Sequence, residues 1–113
     1  MPSGTFRVLW AEAAVRDLQD IVTYVAADSP AHANRLLATI RTRAGSLEGA
    51  PRRGRIVPEL AESGLRTWRE LIVSPYRIIY RIADNVVYVL AVLDGRRDLR
   101  EVLLERLLRQ SSL

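Results

Sequence analysis

The chain contains no cysteine and no lysine, and its 113 residues include a single histidine, His32. Without cysteine there are no disulfides, no thiolate metal sites and no cysteine nucleophile. One histidine excludes a histidine-rich metal site and any chemistry that needs two imidazoles. It falls at the start of a helical stretch, where an unoriented imidazole reads as a solvated surface residue. No apolar run approaches the length of a membrane span, and the opening MPSGTFRVLW has no secretory pattern. The expectation is one domain over residues 1–113, cytoplasmic, with no metal, cofactor or membrane contact. Hydrophobic residues make up 49% and charged residues 27%, a globular composition able to build a core.

What the chain has in quantity is arginine. All 17 basic residues are arginines, against 13 acidic ones. Residues 1–50 hold five arginines and five carboxylates, whereas residues 51–113 hold twelve and eight, so the net charge of +4 lies in the second half. That asymmetry points to an anionic partner, nucleic acid or acidic protein, or to a plainly solvated arginine surface.

Hydrophobic periodicity sets the elements. Phe6, Val8 and Trp10 alternate as a strand. Val15, Leu18, Ile21, Val22 and Val25 then recur at helical spacing to about Ala27, although Ala11 is a poor cap. Asp28 or Ser29 followed by Pro30 starts a second helix through Ala33, Leu36, Leu37, Ile40, Ala44 and Leu47, ended by Gly49 and Pro51. The pair should form an antiparallel hairpin. Residues 51–67 read as loop, with a short strand at Arg55 to Val57. Three strands follow at 68–73, 76–82 and 86–94, joined by Ser74-Pro75 and Asp84-Asn85. Asp98 caps a final amphipathic helix, 98–109.

Two-residue turns fix a register. Trp68 faces Arg81, Glu70 faces Ile79 and Ile72 faces Arg77; in the next hairpin Arg81 faces Tyr88, Ile79 faces Leu90 and Arg77 faces Val92. The opposite face, with Leu71, Val73, Tyr76, Ile78, Tyr80, Ile82, Val87, Val89, Ala91 and Leu93, is apolar and should carry the helix hairpin. The first face then brings Arg77 and Arg81 together with Trp68, Glu70 and Tyr88. It reads either as a concave basic surface for phosphate or carboxylate, or as a face on which Glu70 neutralises one arginine and Trp68 stacks on the other.

Several segments together resemble one family. They are A-x-x-D-L-x-x-I-x-x-Y (Ala14, Asp17, Leu18, Ile21, Tyr24), P-R-x-G-R (Pro51 to Arg55), WRELIVSPYRIIYRI and VLAVLDGRRDL. Their order is similar to that of the RelE/ParE superfamily, the toxins of bacterial type II toxin–antitoxin modules, from about Val8 to Leu108. The resemblance implies an α+β fold in the order β-α-α-β-β-β-α. A two-helix hairpin covers one face of a small antiparallel sheet, and a C-terminal amphipathic helix follows. It also implies a cognate antitoxin with an acidic amphipathic C-terminal segment, a toxin–antitoxin hetero-oligomer, and a setting in plasmid stabilization.

The family divides between ParE-like poisons of DNA gyrase and RelE-like endoribonucleases that cut mRNA on the ribosome. RNA cleavage needs a base, an acid and cations that hold the phosphate. Arg77 matches the strand arginine that holds phosphate in the nuclease branch. Arg81, Glu70 and Tyr88 complete the candidate catalytic set. Yet there is no lysine, Arg96 and Arg97 stand where a late His or Tyr would fall, and arginine cannot act as the acid. The gyrase-poison branch therefore fits better. The ribosome-dependent nuclease is the alternative, and a non-toxic member that only binds antitoxin is the second. Trp68, Arg77, Arg81, Arg96, Arg97, Arg52, Arg53 and Arg55 are the candidate contacts for target or antitoxin.

Overall fold

The computed structural model describes residues 5–111. Strand β1 spans Arg7–Trp10, helix α1 Glu12–Ala26 and helix α2 Pro30–Gly45, which is followed by one 3₁₀ turn at Ser46–Glu48. Ser29 caps α2 as its sequence requires: its Oγ accepts from the His32 N–H at 3.2 Å, and Pro30 occupies the first turn. Ala11 gives α1 no side-chain cap. Next come β2 (Arg55–Ile56), a short helix α3 (Pro58–Ala61), β3 (Trp68–Val73), β4 (Tyr76–Ala83), β5 (Val86–Asp94) and α4 (Leu99–Ser111). The Ser74–Pro75 bond is cis, and Asp84 takes a left-handed φ of 55° in the β4–β5 turn.

The five strands form one mixed sheet in the order β1-β5-β4-β3-β2. This corrects the expected all-antiparallel sheet, because β1 runs parallel to β5, with Leu9 beside Tyr88. The chain reaches that position through the α1–α2 hairpin and the strands that follow it, so a parallel neighbour needs no tight turn. The β3–β4 register is the one expected: Trp68 with Arg81, Glu70 with Ile79, Ile72 with Arg77. The β4–β5 register begins as expected, with Arg81 opposite Tyr88, and then slips. Ile79 faces Ala91 and Arg77 faces Leu93, not Leu90 and Val92, because a β-bulge leaves Leu90 without a partner.

The bulge exchanges faces. Val92 joins Leu71, Ile78, Tyr80, Val87 and Val89 under Ala14, Leu18, Leu36 and Ile40 of the hairpin. Ala91 and Leu93, expected there, lie on the opposite face. That opposite face is not open throughout. Trp68, Ile79, Leu90, Ala91 and Leu93 pack with Val57 and Leu60, the N-cap and the buried residue of α3, and with Leu99 and Leu103 of α4, forming a second core. Two covered faces explain why β5 reads as apolar on both sides. Below Val89 the outer edge of β5 has no strand beside it. There Asp17 of α1 accepts the Val92 N–H at 3.0 Å and grips Arg106 of α4 through two bonds of 2.6 and 2.9 Å. One carboxylate thus caps the edge and ties the helices of both faces together.

Candidate functional site

The sheet face under α4 has two ends, and β4 supplies an arginine to each. At one end Arg77 is enclosed. Its Nε donates to Glu70 Oε1, and its two terminal nitrogens donate to Glu59 at 2.8 Å each. Glu70 is fully buried on β3, and its other oxygen accepts from Arg55 Nε at 2.7 Å. The two carboxylates stabilise the charged guanidinium and raise the Arg77 pKa, while the same bond lowers that of Glu59. Gly95 closes the end: a Cβ there would lie 3.0 Å from the Pro75 carbonyl and 3.2 Å from Arg77 Cδ. Of the two readings of this face, the Glu70–Arg77 ion pair is the one the structure has at this end, and the alternative concave basic surface does not extend to Arg77. Glu59 is the residue that sequence reasoning missed, because α3 lies in a stretch that reads as loop.

At the other end Arg81 is half-buried between two rings. Its guanidinium carbon lies 5.8 Å from the Trp68 centroid and 4.9 Å from that of Tyr88. Trp68 is buried, whereas Tyr88 and the neighbouring Leu9 remain 36% and 37% exposed. A groove of about 490 Å³ opens here, lined by Leu9, Trp10, Trp68, Arg81, Tyr88 and Leu90 among others. Trp68, Arg81 and Tyr88 are thus brought together, apart from Arg77 and Glu70.

The remaining arginines fall on two borders. Arg96 pairs with Asp94 at 2.6 Å and holds that carboxylate down at about 2. Arg97 follows it in the turn before α4, where its backbone N–H donates to the Asp94 carbonyl at 3.1 Å. Arg52, Arg53 and Arg55 lie at the β2 edge on a firmly held loop. The Tyr80 hydroxyl accepts from Gly54 N–H at 2.9 Å and donates to the Pro51 carbonyl at 2.7 Å, and Arg69 donates to the Gly54 carbonyl at 2.7 Å. A Cβ at Gly54 would strike the Tyr80 oxygen at 2.7 Å and the Glu70 backbone, so the glycine of P-R-x-G-R is sterically required. His32 is exposed on the hairpin. Among the described residues there is no cluster of metal-ligating side chains, and no helix is long and apolar enough to cross a membrane.

The chain has the fold of the RelE/ParE toxins. It is similar to a chain of the chromosomal ParDE toxin–antitoxin system of P. aeruginosa, with a TM-score of 0.64 and 22% identity over 80% of this chain and 96% of that one. It is also similar to the toxin–antitoxin complex RelBE2 of Mycobacterium tuberculosis, with a TM-score of 0.59 and 26% identity over 81% and 93%. Toxin RelE2 of Caulobacter vibrioides is 35% identical over 92 residues, covering 80% of this chain and 97% of that protein. Residues 8–99 match the family described as the ParE toxin of type II toxin-antitoxin system, parDE. The chain belongs to this toxin family.

Proposed function

We propose that this toxin is a ParE-like poison that acts by binding DNA gyrase, and that it makes and breaks no bonds itself. The observation that supports this reading is the state of Arg77. All three of its nitrogens already bond carboxylates, two of them to Glu59 and one to Glu70. A phosphate arriving there would have to displace Glu59. Glu70 in turn is fully buried and accepts from two arginines, which keeps it from a ribose hydroxyl and stabilises its charged form. Tyr88 faces Arg81 rather than Arg77.

A cognate antitoxin neutralises the toxin by direct binding. The similar structures, of a ParDE toxin–antitoxin system and of the RelBE2 toxin–antitoxin complex, support this part of the reading. The expected partner segment is acidic and amphipathic, matched to the basic half of this chain.

The test is a pair of assays on the purified toxin. We expect inhibition of gyrase supercoiling at micromolar toxin and unchanged protein synthesis in a reconstituted translation reaction. Intact supercoiling with cleaved mRNA would overturn the proposal in favour of the ribosome-dependent endoribonuclease. Neither effect, together with normal growth on expression, would leave a family member that only binds antitoxin.

A further inference from the structure

Residues 51–69 run from the loop before β2 to the second residue of β3. They carry five arginines, Arg52, Arg53, Arg55, Arg66 and Arg69, and two carboxylates, Glu59 and Glu62. Arginines from outside the segment take both carboxylates: Arg77 holds Glu59 and Arg100 holds Glu62. Arg55 shares Glu70 with Arg77. Arg52, Arg53, Arg66 and Arg69 make no ion pair among the described residues.

The fold gathers these cations at the β2 edge of the sheet. Arg69 lies opposite Ile56, and its guanidinium donates to the Gly54 carbonyl, against the loop that carries Arg52 and Arg53. The charges of Arg53 and Arg69 both reach the Tyr80 hydroxyl, where they oppose the upward push of burial on its pKa. Arg66 stands three residues before Arg69, within about 10 Å along the chain. Like charges brought this close repel one another, and the fold holds them together through buried groups. The buried Tyr80 pins the loop by its bonds to Gly54 and Pro51, and Gly54 has no room for a side chain. The backbone beneath the exposed Arg52 and Arg53 is thus fixed in advance, which lowers the ordering cost of binding.

We propose that this edge binds the phosphate backbone of duplex DNA, the nucleic acid on which gyrase acts; the choice of DNA rests on the gyrase reading above. Several unpaired guanidinium groups on one edge match a polyanion whose charges are closely spaced. Duplex DNA carries one charge per about 1.7 Å of axis, whereas the carboxylates of a peptide hang on separate flexible side chains. A single strand fits less well, because its unpaired bases need rings to stack on. The one aromatic residue of the segment, Trp68, is buried. Contacts made to phosphates alone read no sequence, so binding at this edge is independent of base composition.

The full-length toxin is titrated against a fluorescein-labelled DNA duplex of about 20 base pairs, with anisotropy followed between about 50 and 200 mM salt. Three or four phosphate contacts give a slope of about −3 in log affinity against log salt. Arg52→Gln with Arg53→Gln should weaken binding about tenfold at about 100 mM salt and make the slope shallower by about 2. Arg66→Gln, in a separate loop, should cost about threefold and about 1 in slope, and it serves where the double variant does not fold. Arg35→Gln with Arg41→Gln removes the same charge from two exposed α2 arginines that also lack ion pairs among the described residues, and should change binding less than about twofold. Equal losses from the two double variants would reveal a response to net charge alone and overturn the proposal. So would an absence of saturable binding at about 100 mM salt, or tighter binding of a single strand or of duplex RNA of the same sequence. A parallel supercoiling assay separates this inference from the reading it rests on. Duplex binding by a native toxin that does not inhibit gyrase would support the surface and overturn the gyrase reading. Equal inhibition by the native toxin and the Arg52→Gln, Arg53→Gln variant would remove the DNA contact from the poisoning.

Discussion

Arg77 and Arg81 stand on the same strand and the same sheet face, four residues apart, and the fold treats them in opposite ways. Arg77 lies under α3 and against Gly95, locked by Glu59 and Glu70. Arg81 is half-buried, held between two rings on the floor of a groove. Arginine is tolerated in mid-sheet by either route, since its charge must be paired or hydrated. The pair shows that a basic sheet face is not one surface. Which arginine is structural and which is available depends on what other segments lie above it.

Breaking the closed end should have the largest effect. Arg77→Ala leaves Glu59 without its partner and the fully buried Glu70 with Arg55 alone, and should destabilise the protein by about 3–5 kcal/mol in urea unfolding. Replacing Arg77 by Met together with Glu70→Leu should recover much of that loss, because the uncompensated charge goes with its partner. If Arg77→Ala unfolds like the native protein and instead abolishes toxicity, Arg77 is a working residue and the contrast with Arg81 fails.

Asp17 anchors helix α4 and caps the edge of β5. Asp17→Ala removes both the Arg106 pair and the acceptor for Val92 N–H, for about 3 kcal/mol. Arg106→Ala leaves Asp17 still holding Val92 and should cost about 1–2 kcal/mol. Equal losses in thermal or urea unfolding would show that the edge cap contributes nothing.

The closed end should also carry an acid sensitivity that the open end lacks. Bonding to Arg77 lowers the Glu59 pKa from an ordinary 4.5. Its stabilising contribution is therefore complete above pH about 4.5 and is lost as pH falls through the lowered value. In Glu59→Gln, stability should be lower at neutral pH and should decline less as pH falls below about 4.5. The difference will be modest because Glu59 is partly exposed. Parallel profiles of unfolding midpoint against pH would remove Glu59 from the account.

Sequence reasoning reached the first hairpin and stopped at the second. The apolar alternation of residues 68–82 and the two-residue turn determine that Trp68 meets Arg81, and the structure agrees. Nothing in VVYVLAVLD marks the bulge at Leu90, because a bulge between apolar residues needs no glycine and leaves the composition unchanged. The slip moves Ala91 and Leu93 to the face that α3 and α4 cover. The cover itself was half-legible. A strand apolar on both sides implies two packed faces, but the short helix carrying Glu59 has too few residues to show a period. Asp17 was visible as part of a motif, and its partners were not, since Val92 and Arg106 lie 75 and 89 residues away.

The smallest expected effect is at the open end, and it is the sharpest check on the comparison. Arg81→Gln removes a charge that no described carboxylate shares, so no buried ion is stranded. What is lost is two cation–ring contacts at a half-exposed site, about 1 kcal/mol together, with the glutamine stem still able to lie between Trp68 and Tyr88. Urea unfolding should therefore place Arg81→Gln within about 1 kcal/mol of the native protein and Arg77→Ala several kcal/mol below it. A loss at Arg81 as large as that at Arg77 would mean that the stack is structural glue. The groove beside it would then have no guanidinium to offer a partner.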